Sequence, residues 1–303
     1  MIVHLNGEYV PSDRAAVPID DPGFLYGEGV VETLLVRRSR PVFWEEHWSR
    51  LCASADALAI AMPVTFERAT SILGELVRRN DMADALARIQ LSGYGVPRLP
   101  AGARNGTGAR NGRRRIASQP PRTFLVRLGP APVATAEALV RGWKIVLSAA
   151  ELVPFLPEAR HTNRLSSVLA RREAHAAHAE EAILSGPGGL LLEGTRSHLF
   201  FTRDEVLYTP ALEAGVRPAV TRDKVLLLAR REGLTINEGL HTARELAGAA
   251  EIFLAFTEIG IMPVTDVDGR PVGPGRMGVL TQRLRFAYER LVSASALRTP
   301  APA

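Results

Sequence analysis

At 303 residues the chain is long enough for two domains of ordinary size or one large one. Its apolar share of 46% and net charge of +5 are those of an ordinary globular protein. No apolar run approaches the roughly 20 residues that cross a bilayer, and Met1–Gly7 lacks a basic region followed by an apolar one, so neither a membrane span nor a secretory signal is expected. The single cysteine, Cys52, excludes an internal disulfide, and a cytoplasmic protein fits best. Lys144 and Lys224 are the only lysines; every other basic residue is arginine. The one dense basic cluster, Arg104–Arg115, sits in a Gly/Asn-rich stretch without interleaved aromatics, so nucleic-acid binding is not expected.

In chain order, Leu5–Val10 reads as a hairpin turning at Asn6-Gly7. Gly29–Arg37 and Arg40–Trp44 read as strands around a short polar turn. Glu45–Ile60 is a predicted helix, with Trp48, Leu51, Ala55 and Leu58 recurring at three and four. Thr65 caps a second helix running to about Arg79, without an acidic partner three residues on. Ala87–Ser92 and Thr123–Leu128 read as strands. Between them, Pro97–Pro121 is rich in Gly, Arg, Asn and Pro and is expected to be a loop. Gly129-Pro130-Ala131-Pro132 looks like a linker, giving an N-terminal α/β domain over 1–128, a connection over 129–135 and a second domain over 136–303.

The second half reads as strand Lys144–Leu147, helix Arg164–Ala177, strand Glu181–Leu184, a strand pair Leu190–Glu193 and Ser197–Phe201, and strand Val206–Tyr208. Helix Arg222–Glu232, a short helix near Ala243–Ala247, strand Ile252–Phe256 and a terminal helix from about Gly278 to Val292 complete it. Strands and helices mix without strict alternation, which argues for an α+β chain.

Four strings stand out: Asp21-Pro22-Gly23-Phe24-Leu25-Tyr26-Gly27-Glu28-Gly29-Val30-Val31-Glu32-Thr33, Arg160-His161-Thr162-Asn163-Arg164-Leu165, Leu192-Glu193-Gly194-Thr195-Arg196-Ser197, and Arg217-Pro218-Ala219-Val220-Thr221-Arg222. With Glu45-Glu46-His47-Trp48-Ser49-Arg50-Leu51, they resemble the fold-type IV pyridoxal-phosphate enzymes, the class IV aminotransferases and aminodeoxychorismate lyases. The resemblance implies a two-domain α+β fold like that of the D-amino acid aminotransferases. It implies a small N-terminal α/β domain, a larger β-barrel-like domain with flanking helices, and a homodimer.

Carried over residue by residue, the resemblance places Arg50 on the cofactor phosphate with Val220, Thr221 and Thr257, and Glu193 on the pyridine nitrogen. Arg164, Arg196 and Ser197 fall around the cofactor, with Arg164 in the form that the lyase branch carries. Tyr26 becomes a wall residue, Glu32 lies near the anchoring lysine, and Thr33 matches a position that assists the lyases. The lysine itself is missing: Arg160 stands at its place, and a guanidinium forms no comparable imine. Val31 replaces an aromatic, Ala219 a glycine and His198 an asparagine.

The expectation is a lyase-like class IV protein acting on a carboxylated amino substrate with altered chemistry. Pyridoxal phosphate would be held non-covalently, and no metal is called for. Two alternatives stand beside it: an enzyme without pyridoxal phosphate whose Arg160, Arg164 and Arg196 bind an acidic substrate, and a silent homologue that binds the cofactor or a partner. An engineered Arg160 would give the same sequence. Lys144 and Lys224 are alternative anchors, with surface exposure the commoner fate of lone lysines.

Overall fold

The computed structural model describes residues 1–95 and 120–298. The expected loop Pro97–Pro121 therefore lies outside the described residues, apart from Pro120 and Pro121. The N-terminal half runs β1 (Ile2–Leu5), β2 (Glu8–Pro11), α1 (Pro22–Tyr26), β3 (Gly29–Arg37), β4 (Arg40–Pro41), α2 (Trp44–Ala57), α3 (Phe66–Asn80), β5 (Ala85–Ser92) and β6 (Phe124–Pro130). Its six strands form one antiparallel sheet, ordered β2-β1-β6-β5-β3-β4.

Helix α3 shows why this half folds. Ala69, Ile72, Leu73, Leu76 and Val77 recur at three and four and are all buried. Thr65 caps the helix by accepting from the Arg68 N–H at 3.3 Å. These residues pack with Leu51 and Ala55 of α2 against Leu34, Ile89 and Val126 of the sheet. Each such aliphatic side chain contributes about 1.5–3 kcal/mol on burial.

The second half runs α4 (Ala136–Arg141), β7 (Trp143–Glu151), α5 (Leu165–Ala176), β8 (Glu181–Gly186), β9 (Leu190–Gly194), β10 (His198–Arg203) and β11 (Val206–Pro210). Then come α6 (Val220–Arg231), β12 (Thr235–Gly239), α7 (Ala243–Leu246), β13 (Glu251–Phe256), β14 (Gly260–Val267), β15 (Arg270–Pro271) and α8 (Val279–Arg298). The strands make one mixed sheet, ordered β12-β11-β10-β13-β14-β7-β8-β9, with β15 beside β14. This sheet curls, and Gly194 N–H at the end of edge strand β9 donates to the Ser197 carbonyl just before the central β10 at 2.7 Å. The mixed α+β architecture is as expected. Phe200, Val225, Phe253 and Leu284 share one core with Leu35, Val42 and Phe43 of the first half.

Several boundaries differ from the sequence reading. Gly129 and Pro130, expected in the linker, end β6 opposite Leu86 and Ala85; a proline is tolerated at a strand end, where its missing N–H breaks no ladder. The strands around 190–193 and 197–201 are consecutive but not ladder partners: β9 pairs with β8, and β10 with β11 and β13. β4 is only two residues long, because Trp44 already opens α2. β14 escaped the sequence reading because its buried stretch Gly260–Thr265 does not alternate and is interrupted by Pro263. No helix among the described residues is long and apolar enough to cross a membrane.

A short segment ties the two sheets together. Val31 N–H donates to the Arg160 carbonyl at 2.9 Å and Thr162 N–H to the Gly29 carbonyl at 2.8 Å. Gly29 permits this approach: a Cβ there would stand 2.5 Å from the Leu91 carbonyl and 3.2 Å from Thr162 Oγ1.

Candidate functional site

Beside that junction lies a cavity of about 700 Å³. It is lined by Val31 and Thr33 of β3, Arg50 of α2, Arg88 of β5, Arg160, Thr162 and Arg164 ahead of α5, one face of α5 from Ser167 to Ala176, Arg196 and His198, Ala219 and Thr221, and Phe256 to Glu258. Among the described lining residues, seven are arginines (Arg50, Arg88, Arg160, Arg164, Arg171, Arg172 and Arg196), and one, Glu258, is acidic.

The floor is built by a polar stripe on α2. His47, Arg50 and Ser54 recur at three and four, so they share one face. That face meets Glu32, which is fully buried on β3. Arg50 grips Glu32 with two prongs, Nε to Oε2 at 3.0 Å and Nη2 to Oε1 at 2.6 Å, and His47 Nδ1 lies 2.9 Å from Oε1. Burial alone would raise the Glu32 carboxyl, but Arg50 and His47 outweigh it and hold it well below the usual carboxylate range. Burial dominates at His47 and lowers its pKa despite Glu32. The remaining Arg50 prong, Nη1, donates to the Pro218 carbonyl at 3.3 Å, linking α2 to the approach of α6.

Arg160 is placed by its backbone. Its N–H donates to Ser54 Oγ at 3.1 Å, and its carbonyl accepts from Val31. Its Nε is sealed from solvent without a hydrogen-bond partner. Burial, with the repulsion of Arg50, pushes its pKa down to about 9, Glu32 opposing and Arg217 and Arg164 adding; it is still a cation at neutral pH. Arg164 is lowered to about 10 by burial and by Arg217, and its Nη2 donates to the Thr195 carbonyl at 2.5 Å.

The turn Thr195-Arg196-Ser197 hangs on Glu181, which is completely buried. Glu181 accepts from Thr195 N–H at 3.1 Å, Thr195 Oγ1 at 2.5 Å and Ser197 Oγ at 3.0 Å. This frees Arg196 to lie over the rings of Trp143 and Phe256, 5.3 and 5.5 Å from their centres. At the other end, α6 begins at Val220 with Ala219 as its uncapped N-cap. Thr221 is thus the second helical residue rather than the cap, and its hydroxyl lies 3.4 Å from Tyr288 Oη. Burial pushes Tyr288 up to about 12. The unpaired N–H groups of this helix start give the cavity a second anion-binding element.

Of the residues singled out in the sequence, Thr33, Arg50, Arg160, Arg164, Arg196, Thr221 and Thr257 line this one cavity. Glu32 lies beneath it, bound to Arg50. Ser197 faces Glu181, and Val220 packs into the core around Phe200 and Phe253. Tyr26 stands on α1, 73% exposed, outside the lining. Glu193 lines a neighbouring cavity of about 260 Å³ and is held by Arg217 Nε at 2.5 Å. Lys144 and Lys224 line neither; Lys224 pairs with Glu46 over the ring of Phe43.

The sequence reading missed Arg217, Glu181, His47 and His198 as site-building groups. Arg217 lay inside a quoted string and His198 was noted only as the replacement of an asparagine, because their role depends on which side chain faces them across the fold. Glu181 opened a predicted strand and carried no motif. Arg88 and Arg171 are visible only as alternate members of a strand and a helix.

Set against pyridoxal phosphate, the donor set divides. Thr221, Thr257 and the start of α6 suit a phosphate. The prongs of Arg50 are engaged with Glu32 and Pro218, and the Glu193 carboxylate is already neutralised by Arg217. No lysine of the chain lines the cavity to receive an aldehyde. These residues do not fit a covalently held pyridoxal phosphate.

Comparison with known proteins places this architecture. Residues 29–267 match the signature of the amino-transferase class IV family. A Methanocaldococcus jannaschii protein provisionally named a branched-chain-amino-acid aminotransferase is 31% identical, over 95% of this chain and 96% of its own. The D-alanine aminotransferase of Bacillus licheniformis is 28% identical, over 99% of this chain and 100% of its own. The solved branched-chain amino acid aminotransferase of Escherichia coli superposes with a TM-score of 0.83 at 27% identity, covering 97% of this chain and 95% of that one. The chain belongs to the class IV aminotransferase family.

Proposed function

We propose that this member of the family binds a carboxylate-bearing small molecule in the arginine-lined cavity and transforms it without a lysine-bound cofactor. The observation that carries this reading is the lining itself: among the described residues, seven guanidinium groups, one acidic residue and no amine. Guanidinium forks match carboxylates and remain charged at neutral pH. They hold an acidic ligand and oppose negative charge that develops on it. Amino-group transfer by a lysine-anchored aldehyde needs an amine that the cavity lacks. The same reading takes the chain as a homodimer, as its sequence resemblance implies. The cap of α1 touches the lining residue Thr162, whose Oγ1 donates to the Gly27 carbonyl at 2.8 Å, while Phe24, Leu25 and Tyr26 of α1 are exposed.

A second reading, a lyase-type protein that holds pyridoxal phosphate non-covalently, is favoured by the phosphate seat at Thr221, Thr257 and the start of α6. One experiment separates the two. The purified protein is titrated with pyridoxal phosphate, followed by absorbance, reduced with borohydride and peptide-mapped. In parallel, 2-oxoglutarate binding is measured by calorimetry. Carboxylate binding with no pyridoxal adduct is expected. Saturable pyridoxal phosphate binding without an adduct would favour the second reading, and a reduced adduct on Lys144 or Lys224 would overturn the first.

A further inference from the structure

Guanidinium groups at neutral pH hold and polarise an anion but do not take up its protons. A reaction that breaks a C–H bond in this cavity needs another acceptor. Among the described lining residues only His175, His198 and Glu258 can serve. His175 is exposed on α5, and Glu258 faces the cation of Arg88. His198 differs from both. It is the first residue of β10 and buried, yet neither ring nitrogen has a hydrogen bond among the described residues. Its Nδ1 is sealed from solvent and lies 3.6 Å from Glu193 Oε2. The other oxygen of Glu193, Oε1, is fixed by Arg217 Nε at 2.5 Å.

We propose that His198 is the proton-accepting catalytic residue of the cavity, oriented by a Glu193 that Arg217 anchors. This rests on the reading that an acidic ligand enters without a lysine-bound cofactor. The 3.6 Å separation exceeds a hydrogen bond, and catalytic hydrogen bonds in ligand-free sites are commonly long and tighten when the ligand arrives. A carboxylate opposite Nδ1 favours the tautomer with its proton there, which leaves Nε2 bare as the acceptor. Burial, with Arg160 ahead of α5, Arg222 on α6, Arg217 before α6 and Arg50 on α2, keeps the ring neutral at pH 7 and opposes its protonation; Glu193, the acidic group facing it, and the negative charge of a bound acid act against that opposition.

For a 2-oxo acid the step balances without a co-reactant. The C3–H bond breaks and its proton passes to Nε2. The electron pair forms the C2–C3 double bond as the carbonyl electrons move onto oxygen, giving an enolate that the surrounding guanidiniums stabilise. Return of a proton from the exchanged imidazolium restores the acid, so in heavy water deuterium appears at C3.

The probe is 2-oxoglutarate, with C3 exchange followed by proton NMR, binding by calorimetry, and the state of His198 by imidazole nitrogen NMR. Exchange above the buffer rate is expected. In H198N it should fall roughly a hundredfold with binding kept. His198 should show a neutral ring protonated at Nδ1 from about pH 6 to 8, a preference that weakens in E193Q. Unchanged exchange in H198N, or a charged or Nε2-protonated ring at pH 7, would overturn the proposal. Absence of 2-oxoglutarate binding would instead overturn the reading of the cavity as a carboxylate site. The nitrogen spectrum of the unmodified protein would then decide the His198 assignment by itself.

Discussion

Arg50 and Glu32 meet through two hydrogen bonds, at 3.0 and 2.6 Å, and close the floor of the cavity between α2 and β3. Arg50 is 10% exposed and Glu32 not at all, so removing the acid would leave a desolvated guanidinium without its counter-charge. Glu32→Gln should destabilise the protein by about 3–5 kcal/mol, read from urea unfolding. A loss near zero would mean that the pair does not organise the floor.

The buried ionisable groups set an acid limit. Glu32 has a depressed folded pKa, so its contribution is present above the unfolded value of 4.5 and disappears as pH falls through the folded one. His4, His47 and His198 are also depressed, chiefly by burial, below 6.5. For these the unfolded chain binds protons first, so stability is complete above 6.5 and declines as pH falls below it. Unfolding midpoints should therefore be flat from about pH 7 to 8 and drop steadily towards pH 5, with a shallower slope in His47→Gln. A midpoint that rises on acidification would contradict the burial of these rings.

Arg160→Lys would place an amine beside Arg50, in surroundings that already depress the arginine to about 9. Burial and neighbouring cations lower an amine's pKa as well, which makes it nucleophilic near neutrality. With added pyridoxal phosphate this variant should develop a visible, borohydride-reducible adduct mapping to position 160. A folded variant that binds the compound and forms no adduct would show that the aldehyde does not reach this backbone position.

The exposed face of α1 tests the assembly. Phe24 and Tyr26 are each 73% exposed, and Leu25 lies between them. Burying such rings against a second copy is favourable by roughly 25 cal/mol per Å² of apolar surface. The unmodified chain should sediment as a dimer and Phe24→Asp should shift it towards monomer; a monomeric unmodified chain would sink the dimer reading.

Much of the frame was legible in the sequence. The Asn6-Gly7 turn, the Thr65 cap and the three–four spacing of α2 are local signals, and the structure has the turn, the cap and a helix over Trp44–Ala57. Strand β14 was not legible: its buried stretch shows no alternation, and Pro263 speaks against a strand until its partner β13 is known. The site divides in the same way. The family resemblance implied one site for Arg50, Arg160, Arg164, Arg196, Thr221 and Thr257, and they line one cavity. It could not show that Arg50 turns to Glu32 or that Arg217 holds Glu193, because those pairings span 18 and 24 residues and depend on how the sheets face each other.

Seven arginines against one carboxylate among the described lining residues have a kinetic consequence as well. A concave, positively charged surface focuses the field outward, so an anion is guided towards the mouth before any contact forms. Capture of a dicarboxylate should then be fast at low ionic strength and slow steeply as salt is added, while a neutral analogue of the same size would arrive at a rate that salt scarcely changes.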